Sequence, residues 1–210
     1  MDEETVILPP VAPAPDSVAA PGWYGKLPSL GDFASRRLPP SFIQPWDDWL
    51  ASGLHYSKCL LQADWLDIYL TAGVWRFVLG AGVLDANAYA GILLPSVDRV
   101  GRYFPLTIAS AFAPDSPTAQ GRIDEHWMNT LEQAARAGLS QADGLQALEQ
   151  ALTPLRPLLS GVPEESPAAP LSAGQTRWQT AAHPPHWHDF VCQGMPSAEQ
   201  FARMLEYTPA

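Results

Sequence analysis

The stretch from residue 74 to residue 112 decides the fold, because it holds three apolar runs separated by short joins. The runs read VWRFVLG (74–80), AYAGILLPSVD (88–98) and RYFPLTIASAF (102–112). A parallel pair of strands needs a crossover of a dozen or more residues, and these joins are shorter. The three runs therefore predict consecutive antiparallel strands in a β-meander.

Side chains alternate along the first run, as they do on a strand with two different faces. Trp75, Phe77 and Leu79 fall on one face, and Arg76 and Val78 fall on the other. The residues of the third run that we expect in the core are Leu106, Ile108 and Phe112. Period-two alternation in β-favouring residues predicts strands here.

Helical periodicity occupies the sequence on either side of the meander. Apolar residues recur at Phe42, Trp46 and Trp49, with Ser41 as the expected N-cap and Pro45 in the first turn. The later helical stripes are Ile123, Trp127 and Leu131, then Leu145, Leu148 and Leu152. We expect one long helix before the meander and two shorter helices after it.

Two late segments, TRWQTAA (176–182) and HDFVCQG (188–194), predict further strands. Ser197 and Gln200 have the spacing of a capping box that opens a last helix. Strands in the middle and at the end, with helices between them, predict an α/β fold: a mixed, largely antiparallel sheet covered by helices.

Proline content divides the chain into a tail and a domain. Residues 1–21 hold five of the 22 prolines and show no periodicity, so we expect a disordered or loosely packed tail. Residues 22–210 are long enough for a single domain with a sizeable core. The segment 153–175 is also broken by prolines and is expected on the surface.

Charge excludes two classes of partner. The chain has 22 acidic and 12 basic residues, a net charge of -10 and no basic run. Nucleic-acid binders and anionic-membrane binders need clustered lysine and arginine, so neither partner is expected. No apolar stretch approaches the roughly 18 residues of a membrane span. Two cysteines form no disulfide framework and are expected as reduced, buried thiols, which indicates a cytoplasmic protein.

The segment GWYGKLPSLGDF (22–33) has the composition of a functional loop. A phosphate-binding loop places its lysine after the second glycine, whereas Lys26 follows Gly25, and Pro28 removes a backbone donor. A hydrolase elbow around Ser29 is a second interpretation, but proline precedes the serine and no paired base can be named. An ordinary turn, with the serine bonded to nearby backbone, is the third.

The segment HPPHWHD (183–189) offers possible metal ligands. Neutral imidazoles bind zinc, and the histidines here are His183, His186 and His188. In an extended chain His186 and His188 share a face while Asp189 points to the other. A metal-binding accessory protein therefore stays open as an alternative, beside a small serine hydrolase that uses Ser29 or Ser96.

The segment LLPSVDRVGRYFPL (93–106) repeats an element of the first loop. Leu-Pro-Ser leads to an aspartate in both, Asp32 in one and Asp98 in the other. If the loops meet, their charges would balance locally, as a structural network or as a recognition patch. The polar residues that we expect in this cluster are Lys26, Ser29, Asp32, Ser96, Asp98, Arg99 and Arg102. Among the tryptophans, Trp23 and Trp187 are the expected interface candidates.

These two segments, in this order, resemble the signature stretches of the TagF (ImpM) family of type VI secretion-associated proteins. The closing GMPSAEQFARML (194–205) is similar to that family's last helix. The motif positions are Gly25, Lys26, Pro28, Ser29, Gly31, Asp32, Phe33, Pro95, Ser96, Asp98, Arg99, Gly101, Arg102, Tyr103, Phe104 and Pro105. The first twenty residues and the histidine segment lie outside the pattern.

The resemblance implies a three-layer domain, with helices on both faces of the sheet. It implies a cytoplasmic, non-enzymatic protein without a cofactor that represses type VI secretion after translation. The implied partner is the forkhead-associated scaffold protein that nucleates assembly of the apparatus. None of the seven cluster residues is expected to be catalytic, and we expect them to contact this partner.

Overall fold

The computed structural model describes residues 6–7, 20–116, 118–119, 121, 124–140, 142–156, 170–183 and 186–206. For residues 6–7, 181–183 and 186–188 the description covers the backbone alone. Ile123, which the sequence places in a helical stripe, lies outside these ranges.

Eight strands form one sheet in the described part of the chain. They are β1 (Val6–Ile7), β2 (Gly22–Gly25), β3 (Ala34–Arg36), β4 (Trp75–Leu79), β5 (Ala88–Leu94), β6 (Leu106–Phe112), β7 (Gln175–His183) and β8 (His186–Gln193). Their order is β1-β3-β2-β6-β5-β4-β7-β8. Only β1 and β3 run parallel, and the other neighbours are antiparallel. The predicted meander is confirmed as β4, β5 and β6, and both late strands are present.

Five α-helices cover the two faces of this sheet in the described ranges. They are α1 (Pro40–Leu61), α2 (Trp65–Thr71), α3 (Glu125–Ser140), α4 (Gly144–Leu152) and α5 (Ala198–Leu205). Helices α1, α2 and α5 pack on the face of Trp75, Phe77 and Leu79. Helices α3 and α4 pack on the opposite face with Val78 and Ile108. The alternation predicted for β4 is therefore confirmed, and the fold is a three-layer α-β-α arrangement.

The start of α1 differs from the prediction. Its N-cap is Pro39, without a side-chain cap, and the N–H groups of Phe42 and Ile43 bond to the Pro39 carbonyl. Ser41 lies inside the helix and donates to Asp85, 2.7 Å away. Pro45 consequently falls past the first turn. The reason is that Pro40 has its φ already fixed and lacks an N–H, so it begins the helix favourably.

Three other local predictions have different outcomes. The capping box is confirmed, since Gln200 N–H donates to the Ser197 hydroxyl and Ser197 N–H donates to the Gln200 side chain. Cys59 is exposed on α1, so its predicted burial is wrong. The division at residue 21 stays a prediction. Val6–Ile7 pairs with β3, and residues 8–19 lie outside the described ranges.

Candidate functional site

The two motif segments meet where β2 ends. Gly25 closes β2 with φ of 133°, and a Cβ added there would lie 2.1 Å from the Pro105 carbonyl oxygen. Only glycine allows the first segment to approach the second so closely. This approach places the loop 26–33 beside the connection between β5 and β6.

Asp98 is the centre of the predicted cluster. Its buried carboxylate accepts hydrogen bonds from Lys26 Nζ at 3.2 Å and from Arg102 Nε at 2.7 Å. It also accepts from the backbone N–H of Val100 at 3.0 Å and of Arg102 at 2.9 Å. Burial alone would raise the pKa of Asp98, but these hydrogen bonds lower it to about 2. The carboxylate is therefore charged and fixes the turn that follows it.

Arg102 connects this turn to the first loop. Its Nη2 donates to the Gly31 carbonyl at 2.6 Å and lies 3.5 Å from the Asp32 carboxylate. The side chains of Arg102 and Asp32 are both 40% exposed, so this ion pair is open to solvent. The backbone N–H of Arg99 donates to the Leu30 carbonyl at 2.8 Å. Two segments far apart in sequence are thus joined by hydrogen bonds into one surface.

Both candidate serines are engaged with backbone groups. Ser96 donates its hydroxyl to the Lys26 carbonyl at 2.6 Å. Ser29 accepts from the N–H of Leu145, at the start of α4, at 3.1 Å. In the described part of the chain neither hydroxyl is hydrogen-bonded to a histidine, so no base that would activate a nucleophile is found there.

Burial separates the seven candidates into two groups. Lys26, Ser96 and Asp98 are buried and hold the loops together. Ser29, Asp32 and Arg102 are partly exposed, and Arg99 is exposed. Among the described residues the Arg99 guanidinium has no hydrogen bond or ion pair. Beside it, Val100 is 67% exposed. We call the four residues Asp32, Arg99, Val100 and Arg102 the motif surface.

Sequence reasoning missed an aromatic cluster under this surface. Tyr24, Phe33 and Phe104 pack together, with the Phe33 and Phe104 ring centroids 4.7 Å apart. The Nζ of Lys26 lies 4.4 Å from the Phe33 centroid. The aromatic residues inside the two motifs could have indicated this cluster. A buried lysine is stabilised by a cation–π contact with an aromatic ring as well as by its carboxylate partner.

A second missed feature joins α4 to the sheet. The Glu149 carboxylate accepts from Trp23 Nε1 at 2.6 Å and from the guanidinium groups of Arg36 and Arg37 at 2.7–2.9 Å. Burial would raise the pKa of Glu149, but the hydrogen bonds from Arg37, Trp23 and Arg36 lower it. Trp23 itself is fully buried in β2, so its predicted role at an interface is wrong.

The histidine segment lies at the β7–β8 hairpin. The backbone pairs His183 with His186 and Thr180 with His188. The side chains of these histidines, and that of Trp187, lie outside the described residues. Within the described part of the chain no group of three potential ligands is close enough to hold a metal ion.

Fold and site together define a three-layer α/β domain in which two sequence motifs hold each other in place. The chain belongs to the TagF family: the model of the TagF N-terminal domain, described as type VI secretion system-associated, matches residues 22–155. This membership supports a regulatory role in type VI secretion.

A solved structure agrees with this assignment. PA0076 from Pseudomonas aeruginosa PAO1 is 32% identical in sequence and superposes with a TM-score of 0.71. The match covers 89% of this chain and 94% of that protein. No curated protein sequence matches the chain. Among the described helices, none combines the length and apolar character that a membrane span requires.

Proposed function

We propose that this protein represses assembly of the type VI secretion apparatus by binding the forkhead-associated scaffold protein. Binding occupies contacts that the scaffold needs for assembly, and release of the protein removes the block. We place this action in the cytoplasm and assign no catalytic step to it. The observation that carries the proposal is the motif surface, an exposed cationic tip on a buried framework.

The framework under the tip supports a binding role. Asp98 fixes the backbone of Val100 and Arg102, so the turn is ordered before any partner arrives. A preordered surface loses less conformational entropy on association, which leaves more of the contact energy as affinity. An unfixed loop of the same composition would bind more weakly.

The residues displayed at the tip also suit an interface. Arginine is enriched among residues that dominate binding energy, and Arg99 is exposed and unpaired among the described residues. Val100 adds an exposed apolar side chain, and a partner that covered it would remove this apolar surface from water. We therefore assign the partner contact to Arg99, Val100 and Arg102 with Asp32. The buried residues Lys26, Ser96 and Asp98 support the contact from beneath. Ser29 supports it by accepting the hydrogen bond from Leu145 N–H, which joins its loop to α4.

Calorimetric titration into the scaffold from the same secretion cluster tests the proposal. Arg99→Glu changes an exposed side chain without removing a described side-chain bond, so the variant should fold normally. Arg156→Glu is the control for charge reversal at an exposed arginine, and it also removes hydrogen bonds from Arg156 to the Thr153 and Leu155 carbonyls. Helix α4 begins beside Ser29 and runs away from it, and Arg156 follows the far end. We expect saturable binding by the parent and the control, and binding at least tenfold weaker for Arg99→Glu. Absence of binding by the folded parent protein would refute the proposed function.

A further inference from the structure

A groove lies beside the motif surface, between α1 and the second motif segment. Its volume is about 390 Å³. The aromatic cluster of Tyr24, Phe33 and Phe104 forms its floor, and Tyr103 forms one wall. The opposite wall is the exposed side of α1. The groove and the motif surface are continuous in sequence, because Phe33 follows Asp32 and Tyr103 follows Arg102.

One small residue lies in the α1 side of the groove. Asp47, Ala51, His55 and Lys58 follow one another at helical spacing and line the same side. Ala51, an exposed residue in the middle of this row, has no side chain beyond its Cβ. Ala51 therefore fills little of the groove, whose volume is about 390 Å³.

The polar groups of the groove are partly engaged already. The Tyr24 hydroxyl donates to the Asp47 carboxylate at 2.5 Å. Lys58 lies over the Trp65 ring, with its Nζ 4.6 Å from the centroid, and its side chain is exposed to solvent. The apolar floor suits an aromatic side chain, and the cation at its rim suits acidic residues next to that side chain.

Charge identifies the class of occupant. The groove and the motif surface together carry three cations, Lys58, Arg99 and Arg102, against two carboxylates, Asp32 and Asp47. The whole chain has a net charge of -10. These five side chains sum to a charge of +1 on a chain whose net charge is -10, so this region repels an acidic partner less than the charge of the whole chain would suggest.

We propose that the groove binds an acidic protein segment through an aromatic side chain inserted above Tyr24, Phe33 and Phe104. Lys58 and Arg99 pair with the acidic residues that flank the inserted ring. The inference rests on the proposed function in one respect, since it takes the scaffold protein as the natural source of this segment. The site shares Arg99 with the motif surface and extends beyond it, because the inserted ring contacts α1.

The test uses a synthetic ten-residue peptide with one central phenylalanine flanked by aspartate and glutamate. Its binding to the full chain is followed by NMR at peptide concentrations up to the millimolar range. Ala51→Trp fills the groove from an exposed helix position. Ser52→Trp places the same side chain on the next exposed position of α1, which does not line the groove. A peptide with lysine at the acidic positions is the charge control.

We expect the acidic peptide to bind the parent and Ser52→Trp, and to bind Ala51→Trp at least tenfold more weakly. No binding to the parent, or equal binding to Ala51→Trp, would overturn the proposal. Calorimetric titration into the scaffold tests the proposed function separately. If the scaffold binds and the peptide does not, the proposed function stands and the proposed binding role of the groove is refuted. If the peptide binds and the scaffold does not, the binding role of the groove stands and the proposed function is refuted.

Discussion

Lys26 and Asp98 form a buried ion pair that joins the two motif segments, with 3.2 Å between Lys26 Nζ and Asp98 Oδ2. The lysine side chain is 3% exposed and the carboxylate is fully buried. Charged groups are buried only when they are paired and hydrogen-bonded. The pair therefore joins the two segments, because each buried charge has its partner in the other segment.

Removing the carboxylate should destabilise the protein strongly. Asp98→Ala leaves Lys26 buried beside an aromatic ring and frees the backbone N–H groups of the turn. Breaking one side of a buried pair costs about 3–5 kcal/mol. Urea unfolding measures the change, with Arg99→Ala as a control that we expect within about 0.5 kcal/mol of the parent. Equal stability of Asp98→Ala and the control would contradict the structural role of the pair.

Stability should fall in acid through the same residue. The pKa of Asp98 is about 2 in the folded protein, against about 3.9 for an unperturbed aspartate. A carboxyl with a lowered folded pKa contributes stability above its unfolded pKa and loses it as the pH falls through the folded value. We expect a contribution of roughly 2–3 kcal/mol near neutral pH that disappears between about pH 4 and pH 2.

Urea unfolding of the parent and Asp98→Asn across this range checks the pH dependence. The stability difference between the two proteins should be constant near neutral pH and shrink as the pH falls below about 4. A difference that stays constant down to about pH 2 would show that Asp98 does not titrate as described.

The close approach at Gly25 gives a steric prediction. Gly25→Ala forces a Cβ against the Pro105 carbonyl at a φ that disfavours any side chain. We expect a loss of about 2–4 kcal/mol, because strain and overpacking add. Gly101→Ala is the matched control, since Gly101 also has positive φ but nothing lies within 4 Å of the added Cβ.

The control should lose only about 1 kcal/mol from backbone strain. Thermal melts of both variants make the comparison. If Gly101→Ala proved the more damaging substitution, contact between the two segments would not be the reason for glycine at position 25.

Glu149 should hold α4 against the sheet. Glu149→Ala leaves Trp23 Nε1 and two guanidinium groups without their shared acceptor. The Glu149 side chain is 14% exposed, which reduces the expected loss of stability to about 1–3 kcal/mol. Hydrogen exchange should rise in α4 and around Leu145 more than in α1. Unchanged protection of α4 would mean that apolar packing alone fixes the helix.

The sequence predicted much of the sheet because its strands carry local signals. Alternation in β4 identified both faces, and short joins identified the meander. The repeated Leu-Pro-Ser element also brought Asp32 and Asp98 into one predicted cluster. These features depend on residues close in sequence, or on two segments that resemble each other.

The missed features depend on contacts that no local pattern records. Glu149 lies 126 positions from Trp23, and nothing in the composition of α4 distinguishes it from other glutamates. Trp23 was expected at an interface because its sequence context resembles a loop, but β2 is an interior strand and its residues are buried. The partition of the cluster into buried and exposed charges likewise required the tertiary structure.

Repression in living cells is the decisive measurement. The cells carry the type VI secretion cluster from which this protein comes but lack the chromosomal gene for the protein itself. Three strains of these cells produce, at equal levels, the unsubstituted protein, Arg99→Glu or Arg156→Glu. Type VI secretion is then measured in all three strains. We expect the parent and Arg156→Glu to reduce secretion and Arg99→Glu to leave it high. Full repression by Arg99→Glu at the same protein level would contradict the motif surface as the repressing contact.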